Sequence, residues 1–383
     1  MNDMDRKLKV MHMVWSMGDG GAQRVILNYL RDFKEDPDLD MQLYVYNNAE
    51  DSFCNREIRE HGFNVTYLNN PQSKLNLPLI KRLFNPAVAQ KNWEQAIRAY
   101  QPDIVHVHIS ALLGVTLKPI VNTGVPVRFD TLHSDPRRYK GKALQTNKTA
   151  FGKEHFIPLC LTKEQSAIAR QRYGFDHCEI LPNGIDFAAL RNRKTEKAAA
   201  RAKLNLPENA FLVLGVGRLD PIKNFSFLID AFFCLYSQNP SAVLALAGRG
   251  SQLDTLRKKA AELSLGDKVY FLGNQDDMAM VYSAADVLGV TSISESFSLT
   301  VLEAQALGVR CVISDGVPDE SIITDRVKKM PPFASPEEWG NALAERDFIG
   351  RKVCDEKDYE VHAISARLKQ IYLHYWKEYC DGK

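Results

Sequence analysis

Short, nearly unbroken apolar runs recur along this chain, each followed by a stretch with helical spacing, and they fall into two series. The first series holds KVMHMVWS, MQLYVYN, NVTYLN, DIVHVHI, VPVRFDTLH and HFIPLCLT; the second holds FLVLGVG, AVLALAG, KVYFLG, DVLGVTS and RCVISD. Strands that are apolar on both faces must be covered on both faces, and alternation of strand with helix is the sequence form of a parallel βαβ sheet. The pattern predicts an α/β chain of two doubly wound, Rossmann-like domains, and 383 residues supply enough for two cores. Between the series, RNRKTEKAAARAKLNLPENA reads as a surface helix leading into the second domain, which puts the boundary near residue 190. The expected domains are 1–190 and 191–360. Residues 361–383 form a helix with Ile364, Leu368, Ile371 and Tyr375 at helical spacing, expected to bridge back onto the first domain. Ligands of such sheets bind beyond the carboxyl ends of the strands, so two domains facing each other would hold the chemistry in a cleft.

Several classes fall away on composition. No run approaches the roughly 18 to 20 apolar residues of a membrane-spanning helix, and the N-terminus enters a strand without a signal-peptide core, so a cytoplasmic protein is expected. Seven cysteines without a C-x-x-C pair suit reduced thiols rather than a disulfide frame or structural zinc. Nucleic-acid binding is disfavoured by near-balanced charge and the absence of a recognition motif. The balance hides an asymmetry: up to Thr195 there are 27 Lys and Arg against 21 Asp and Glu, a net +6, and beyond it 22 against 26, a net −4. Much of the excess sits in Arg137, Arg138, Lys140, Lys142, Lys148 and Lys153, which reads either as a solvated loop or as a face for anionic lipid heads or an anionic substrate.

Two stretches carry the chemistry. In VLGVGRLDPIKNFSFLIDAF a strand passes through a glycine turn into a helix, leaving Arg218 and Lys223 just past the strand's end, where a planar fork and a point charge suit a diphosphate. In ESFSLTVLEAQALG, Glu295 and Glu303 stand eight residues apart, Ser298 reads as the N-cap of a helix, and Gly308 follows its C-terminus. The free amides near Thr300 to Leu302 would favour an anion, with Glu303 placed for two vicinal ribose hydroxyls and Glu295 further out beside a sugar. The bland alternative is a capped helix with two solvated glutamates.

Together with GDGGAQRVILNYL, DIVHVHI, VPVRFDTLHSD, LPNGID, LAGRGSQLDTL and VYFLGNQDDMAMVYSAADVLGVTS, in this order, these stretches resemble glycosyltransferase family 4 over most of the chain. The resemblance implies a GT-B fold, a nucleotide-sugar donor, UDP-linked, bound mainly by the C-terminal domain, and transfer with retention of anomeric configuration. Within the family the chain is most similar to enzymes of exopolysaccharide and capsule assembly. Carried over by position, Arg218 and Lys223 would bind the diphosphate, Glu303 the ribose and Glu295 the transferred sugar. His133 would orient sugar hydroxyls or help stabilise the transition state. Gly20 and Gly21 match the loop that admits the ligand to the backbone, Asn183 the interdomain edge, and Arg249, Gly250 and Asn274 loops near the base. The segment Ser296, Phe297, Ser298, Leu299, Thr300 and Val301 would line the donor. One departure stands out: the family commonly has glycine where this chain has Ser296 and Ser298, which matters if those positions need positive φ.

The resemblance further implies a front-face route in which the departing diphosphate helps deprotonate the acceptor hydroxyl while cations and helix amides absorb its charge. No metal and no cofactor are then expected; His106, His108 and His133 lack an identifiable fourth ligand for zinc. The expected partners are a nucleotide-sugar donor and a glycan or lipid-linked acceptor, with peripheral contact at the inner face of the membrane. Two other readings remain open, a sugar-nucleotide epimerase of the same architecture and a non-catalytic subunit that keeps nucleotide binding.

Overall fold

Every residue of the run Ile104–His108 is buried, three of them apolar and two of them histidines, which is what a central strand covered on both faces requires. The computed structural model describes residues 6–47, 52–69, 85–347 and 349–382. It divides into two units, Met1–Asn183 with Val361–Lys383, and Gly184–Glu360.

The first unit is built on β1 (Leu8–Val14), β2 (Leu39–Asn47), β3 (Val65–Asn69), β4 (Ile104–His108), β5 (Val127–Thr131), β6 (Ile157–Cys160) and β7 (Glu179–Ile180). These form one sheet in the order β3-β2-β1-β4-β5-β6-β7, with all pairs parallel. The second unit has β8 (Phe211–Val216), β9 (Ala242–Ala247), β10 (Val269–Gly273), β11 (Val287–Val290), β12 (Arg310–Ile313) and β13 (Val327–Lys329), in the order β10-β9-β8-β11-β12-β13, again all parallel. In each sheet the order reverses next to the first strand, so the loops at the carboxyl ends of β1 and β4, and of β8 and β11, diverge to opposite faces. Two Rossmann-like α/β units therefore follow from the two series of apolar runs. The pattern had not marked β7 and β13, which are two and three residues long and carry Glu179, Lys328 and Lys329.

Two local readings need correction. The charged segment after residue 190 forms the helix Lys197–Lys203, yet it is not simply a surface helix. Arg201 is buried and donates to the carbonyls of Ala284 and Ala210 at 3.0 and 2.9 Å and to Asp286 at 2.7 Å. In the C-terminal helix Val361–Asp381, Ile364 and Leu368 are buried, but Ile371 and Tyr375 are only partly so; the fully enclosed aromatic is Tyr372. That helix is fastened to the first unit by Lys369, within 2.8 Å of Asp36, and by Arg367, which donates to Ile180 O at 2.9 Å. All seven cysteines are free thiols. Among the described residues no helix is long and apolar enough to cross a membrane.

Candidate functional site

In the second unit, β8 runs out into Gly217, Arg218, Leu219 and Asp220, then a single turn over Pro221–Lys223 and the helix Phe225–Gln238. This loop lies directly on the loop after β9: Gly217 N–H donates to Ala247 O at 3.0 Å and Leu219 N–H to Arg249 O at 2.8 Å. Only glycine permits the approach, since a Cβ on Gly248 would stand 1.9 Å from Gly217 O and one on Gly250 would stand 2.2 Å from Leu219 O. Arg218 and Arg249, both exposed, are thereby carried on adjoining loops. Arg218 lies 2.9 Å from Asp220.

The segment after β11 is tied to the same turn. Thr291 Oγ1 donates to the carbonyls of Lys223 and Asn224 at 3.1 and 3.0 Å, and Ile293 N–H donates to Ile222 O at 2.8 Å. These ties bring Lys223 Nζ to 2.6 Å from Glu295 Oε1, which also accepts from Ser292 Oγ at 2.7 Å. The Lys223 and Glu295 side chains are 19% and 11% exposed, so this pair is largely shielded from water. Lys223 and Glu295, assigned to separate parts of a donor by position, thus form one ion pair here.

The helix that follows spans Leu299–Ala306 with Ser298 at its N-cap, but the Ser298 hydroxyl does not cap it; the Ser298 N–H instead donates to Ser321 Oγ at 3.1 Å. The free amides expected at Thr300 to Leu302 lie one residue earlier: Leu302 N–H already donates to Ser298 O, the first bond of the helix, and among the described residues it is the amides of Leu299, Thr300 and Val301 that have no acceptor. Uncapped amides at a helix N-terminus make a seat for an anion. Glu303, in the next turn, accepts from Tyr282 OH at 2.7 Å. Phe297 is buried against the ring of Tyr359. Neither Ser296 nor Ser298 has positive φ, so serine in place of glycine costs no left-handed strain at either position. The Ser296 hydroxyl is buried with no hydrogen-bond partner among the described residues. Asn274, past β10, is exposed.

In the first unit His133 follows β5, half-buried, with Nε2 at 3.1 Å from His108 Nδ1; burial lowers its pKa to about 3, so the ring is neutral. Gly20 and Gly21 open the helix Gly21–Asp32 without positive φ, and a Cβ on Gly20 would meet only the flexible end of Gln23. Asn183 is buried at the end of this unit's first segment. The histidines group differently from the set formed by His106, His108 and His133. Register pairs His12 of β1 with His106 of β4, and one nitrogen from each of His12, His106 and His108 falls within 4.8 Å of the others. Every ring nitrogen of these three is already hydrogen-bonded. His12 was overlooked because nothing in the order of residues aligns β1 with β4; its signal was a lone histidine inside an otherwise apolar strand.

Comparison with known proteins identifies the family. Residues 19–189 match the family model described as Glycosyltransferase Family 4, and residues 196–344 match that described as Glycosyl transferases group 1. A D-inositol 3-phosphate glycosyltransferase of Salinispora arenicola is 38% identical over 39% of this chain, a match that spans only 38% of that relative's length. EpsF of Bacillus subtilis, named as a glycosyltransferase, is 26% identical over 82% of this chain and 80% of its own. Among solved structures, Anabaena Alr3699/HepE in complex with UDP-glucose superposes with a TM-score of 0.77 at 19% identity, over 96% of this chain and 100% of that one, a likeness of fold.

Proposed function

This chain belongs to glycosyltransferase family 4, with the Rossmann-like units of a GT-B fold, and from that premise we propose that it moves a hexose from a UDP-linked sugar to a glycan or lipid-linked acceptor in polysaccharide assembly. The observation that carries the reading is the hydrogen-bonded joining of two loops in the second unit, one bearing Arg218 and Lys223, the other opening the uncapped helix at Leu299. Cationic side chains and unfilled amides on neighbouring loops are what a diphosphate needs. The choice of UDP rests on the likeness of fold to the Anabaena protein, which was solved in complex with UDP-glucose.

In the proposed step the bond from the sugar's anomeric carbon to the diphosphate oxygen breaks, its electron pair leaving with the diphosphate. The acceptor oxygen bonds the same carbon from the same face, and its proton passes to the departing phosphate oxygen. Arg218 and the amides of Leu299, Thr300 and Val301 absorb the charge that grows there, and Lys223 divides its charge between Glu295 and the phosphate. Glu303 takes the ribose hydroxyls, Glu295 and His133 the sugar, and Arg249, Gly250 and Asn274 the base side. The route asks for no metal. Arg137, Arg138, Lys140, Lys142, Lys148 and Lys153 are all exposed, which supports peripheral contact with anionic lipid near a lipid-linked acceptor.

The test is a panel of nucleotide sugars, scored first for binding and then for nucleoside diphosphate release with and without acceptor. One donor should be hydrolysed slowly alone and transferred with its anomeric configuration kept. An epimerised nucleotide sugar formed without acceptor, or binding with no turnover on any acceptor, would overturn the reading.

A further inference from the structure

Six side chains of the first unit form one continuous line of hydrogen bonds. Thr131 Oγ1 meets His106 Nε2 at 2.7 Å, and His106 Nδ1 meets Tyr372 OH at 2.5 Å. Tyr372 OH meets His12 Nε2 at 3.1 Å, His12 Nδ1 meets His108 Nε2 at 2.9 Å, and His108 Nδ1 meets His133 Nε2 at 3.1 Å. The fold explains the line: β1, β4 and β5 are adjacent, His12 pairs with His106 and His108 with Thr131 in register, and residues two apart on β4 share a face. Tyr372 is fully buried and reaches this face from the C-terminal helix.

Proton counting gives the line a direction. A neutral imidazole has one N–H and one bare nitrogen, and a phenol has one O–H, so each link can be made only if every group donates the same way along the chain. Two polarities exist, and they switch together. Thr131 chooses between them: its hydroxyl is buried and has no other acceptor among the described residues, so it must donate to His106 or leave its proton unpaired. With Thr131 donating, His106 donates from Nδ1 to Tyr372, Tyr372 to His12, His12 to His108, and His108 to Nε2 of His133. The remaining proton of His133 is then on Nδ1, which has no protein partner among the described residues.

We propose that Tyr372 is a positioning residue that fixes the tautomer of His133 through this one-way chain, so that His133 offers an Nδ1–H donor to a hydroxyl of the bound sugar. Burial keeps the three inner histidines neutral and Tyr372 protonated, as the chain requires. The chain stands on its hydrogen-bond geometry and the burial of its members; its consequence at the sugar rests on the proposed glycosyltransferase reading.

The experiment is long-range proton–nitrogen NMR of the full chain with 15N-labelled histidine, under mildly alkaline conditions, with His133 assigned by loss of its signals in His133→Gln. Wild type should show His133 protonated at Nδ1 and bare at Nε2, and Tyr372→Phe, which leaves His12 without a donor, should show a mixture of tautomers. His133 protonated at Nε2 in wild type, or an unchanged tautomer in folded Tyr372→Phe, would overturn the proposal. Should Tyr372→Phe fail to fold, Thr131→Val must scramble the tautomer and Thr131→Ser restore it; Nδ1–H retained in Thr131→Val sinks the idea. In turnover of the best nucleotide sugar, Tyr372→Phe should lose about tenfold in kcat while affinity for free UDP stays within about twofold. The expected spectra with no sugar turnover by wild type would support the chain and remove the glycosyltransferase reading.

Discussion

Lys223 and Glu295, 72 residues apart in sequence, meet at 2.6 Å in the second unit, so the cation proposed for the diphosphate already has a carboxylate beside it. On the proposed reading Glu295 competes with the diphosphate for Lys223. Replacing Glu295 by Gln should tighten binding of free UDP by about 3- to 10-fold while lowering sugar turnover, because a shielded opposite charge is removed and a sugar contact is lost. Calorimetry with UDP beside steady-state kinetics checks this; weaker UDP binding would count against the arrangement.

Arg218 and Glu303 should separate rate from affinity. Arg218→Ala should lower kcat by about 10² to 10³ with KM changed only a few-fold, since its charge matters most as the diphosphate departs. Glu303→Ala should weaken UDP binding by about 10- to 100-fold through loss of two charge-assisted hydrogen bonds. Unchanged kinetics and binding in both variants would remove these assignments.

Gly248 and Gly114 make a matched pair for stability. At Gly248, φ is 138° and a Cβ would stand 1.9 Å from Gly217 O, so Gly248→Ala should cost roughly 3 kcal/mol or more, or prevent folding. Gly114 lies in the helix Leu113–Thr123 with nothing within 4 Å of a built Cβ. Gly114→Ala should be neutral or stabilise by up to about 1 kcal/mol. Chemical denaturation of both variants provides the comparison.

Acid should destabilise the first unit. Burial holds His12, His106, His108 and His133 below the ordinary 6.5, His12 and His133 at about 3. The unfolded chain takes up protons there that the folded chain refuses, so this stability is complete above pH 6.5 and is lost as pH falls from 6.5 toward 3. Asp130 works in the opposite sense: burial raises its pKa well above 3.8, a nearby Ser110 hydroxyl offsetting only part. Its contribution is complete below 3.8 and is lost as pH rises. Four groups outweigh one, and the net slope should approach about 4 kcal/mol per pH unit between roughly pH 4 and 6. Urea denaturation in steps of pH measures it; stability that holds level from pH 6.5 to 5 contradicts the sign. Asp130→Asn should gain stability near pH 7.5, by an amount that shrinks toward pH 4.

What the sequence determined by itself was everything that depends on near neighbours along the chain. Unbroken apolar runs alternating with helical spacing require parallel sheets covered on both faces, and GVGRLDPIKN and SLTVLEAQALG mark where strands turn into helices. The short polar strands β7 and β13 escaped because two or three residues carry no period. Tertiary structure alone decided which side chains meet. The ion pair of Lys223 with Glu295 exists because Thr291 and Ile293 bond the carbonyls of the turn over Pro221–Lys223. The line from Thr131 to His133 exists because register sets His12 beside His106 and the last helix lowers Tyr372 onto them. Periodicity fixes which face a residue takes; the pairing of faces is fixed by backbone hydrogen bonds between segments that sequence order keeps far apart.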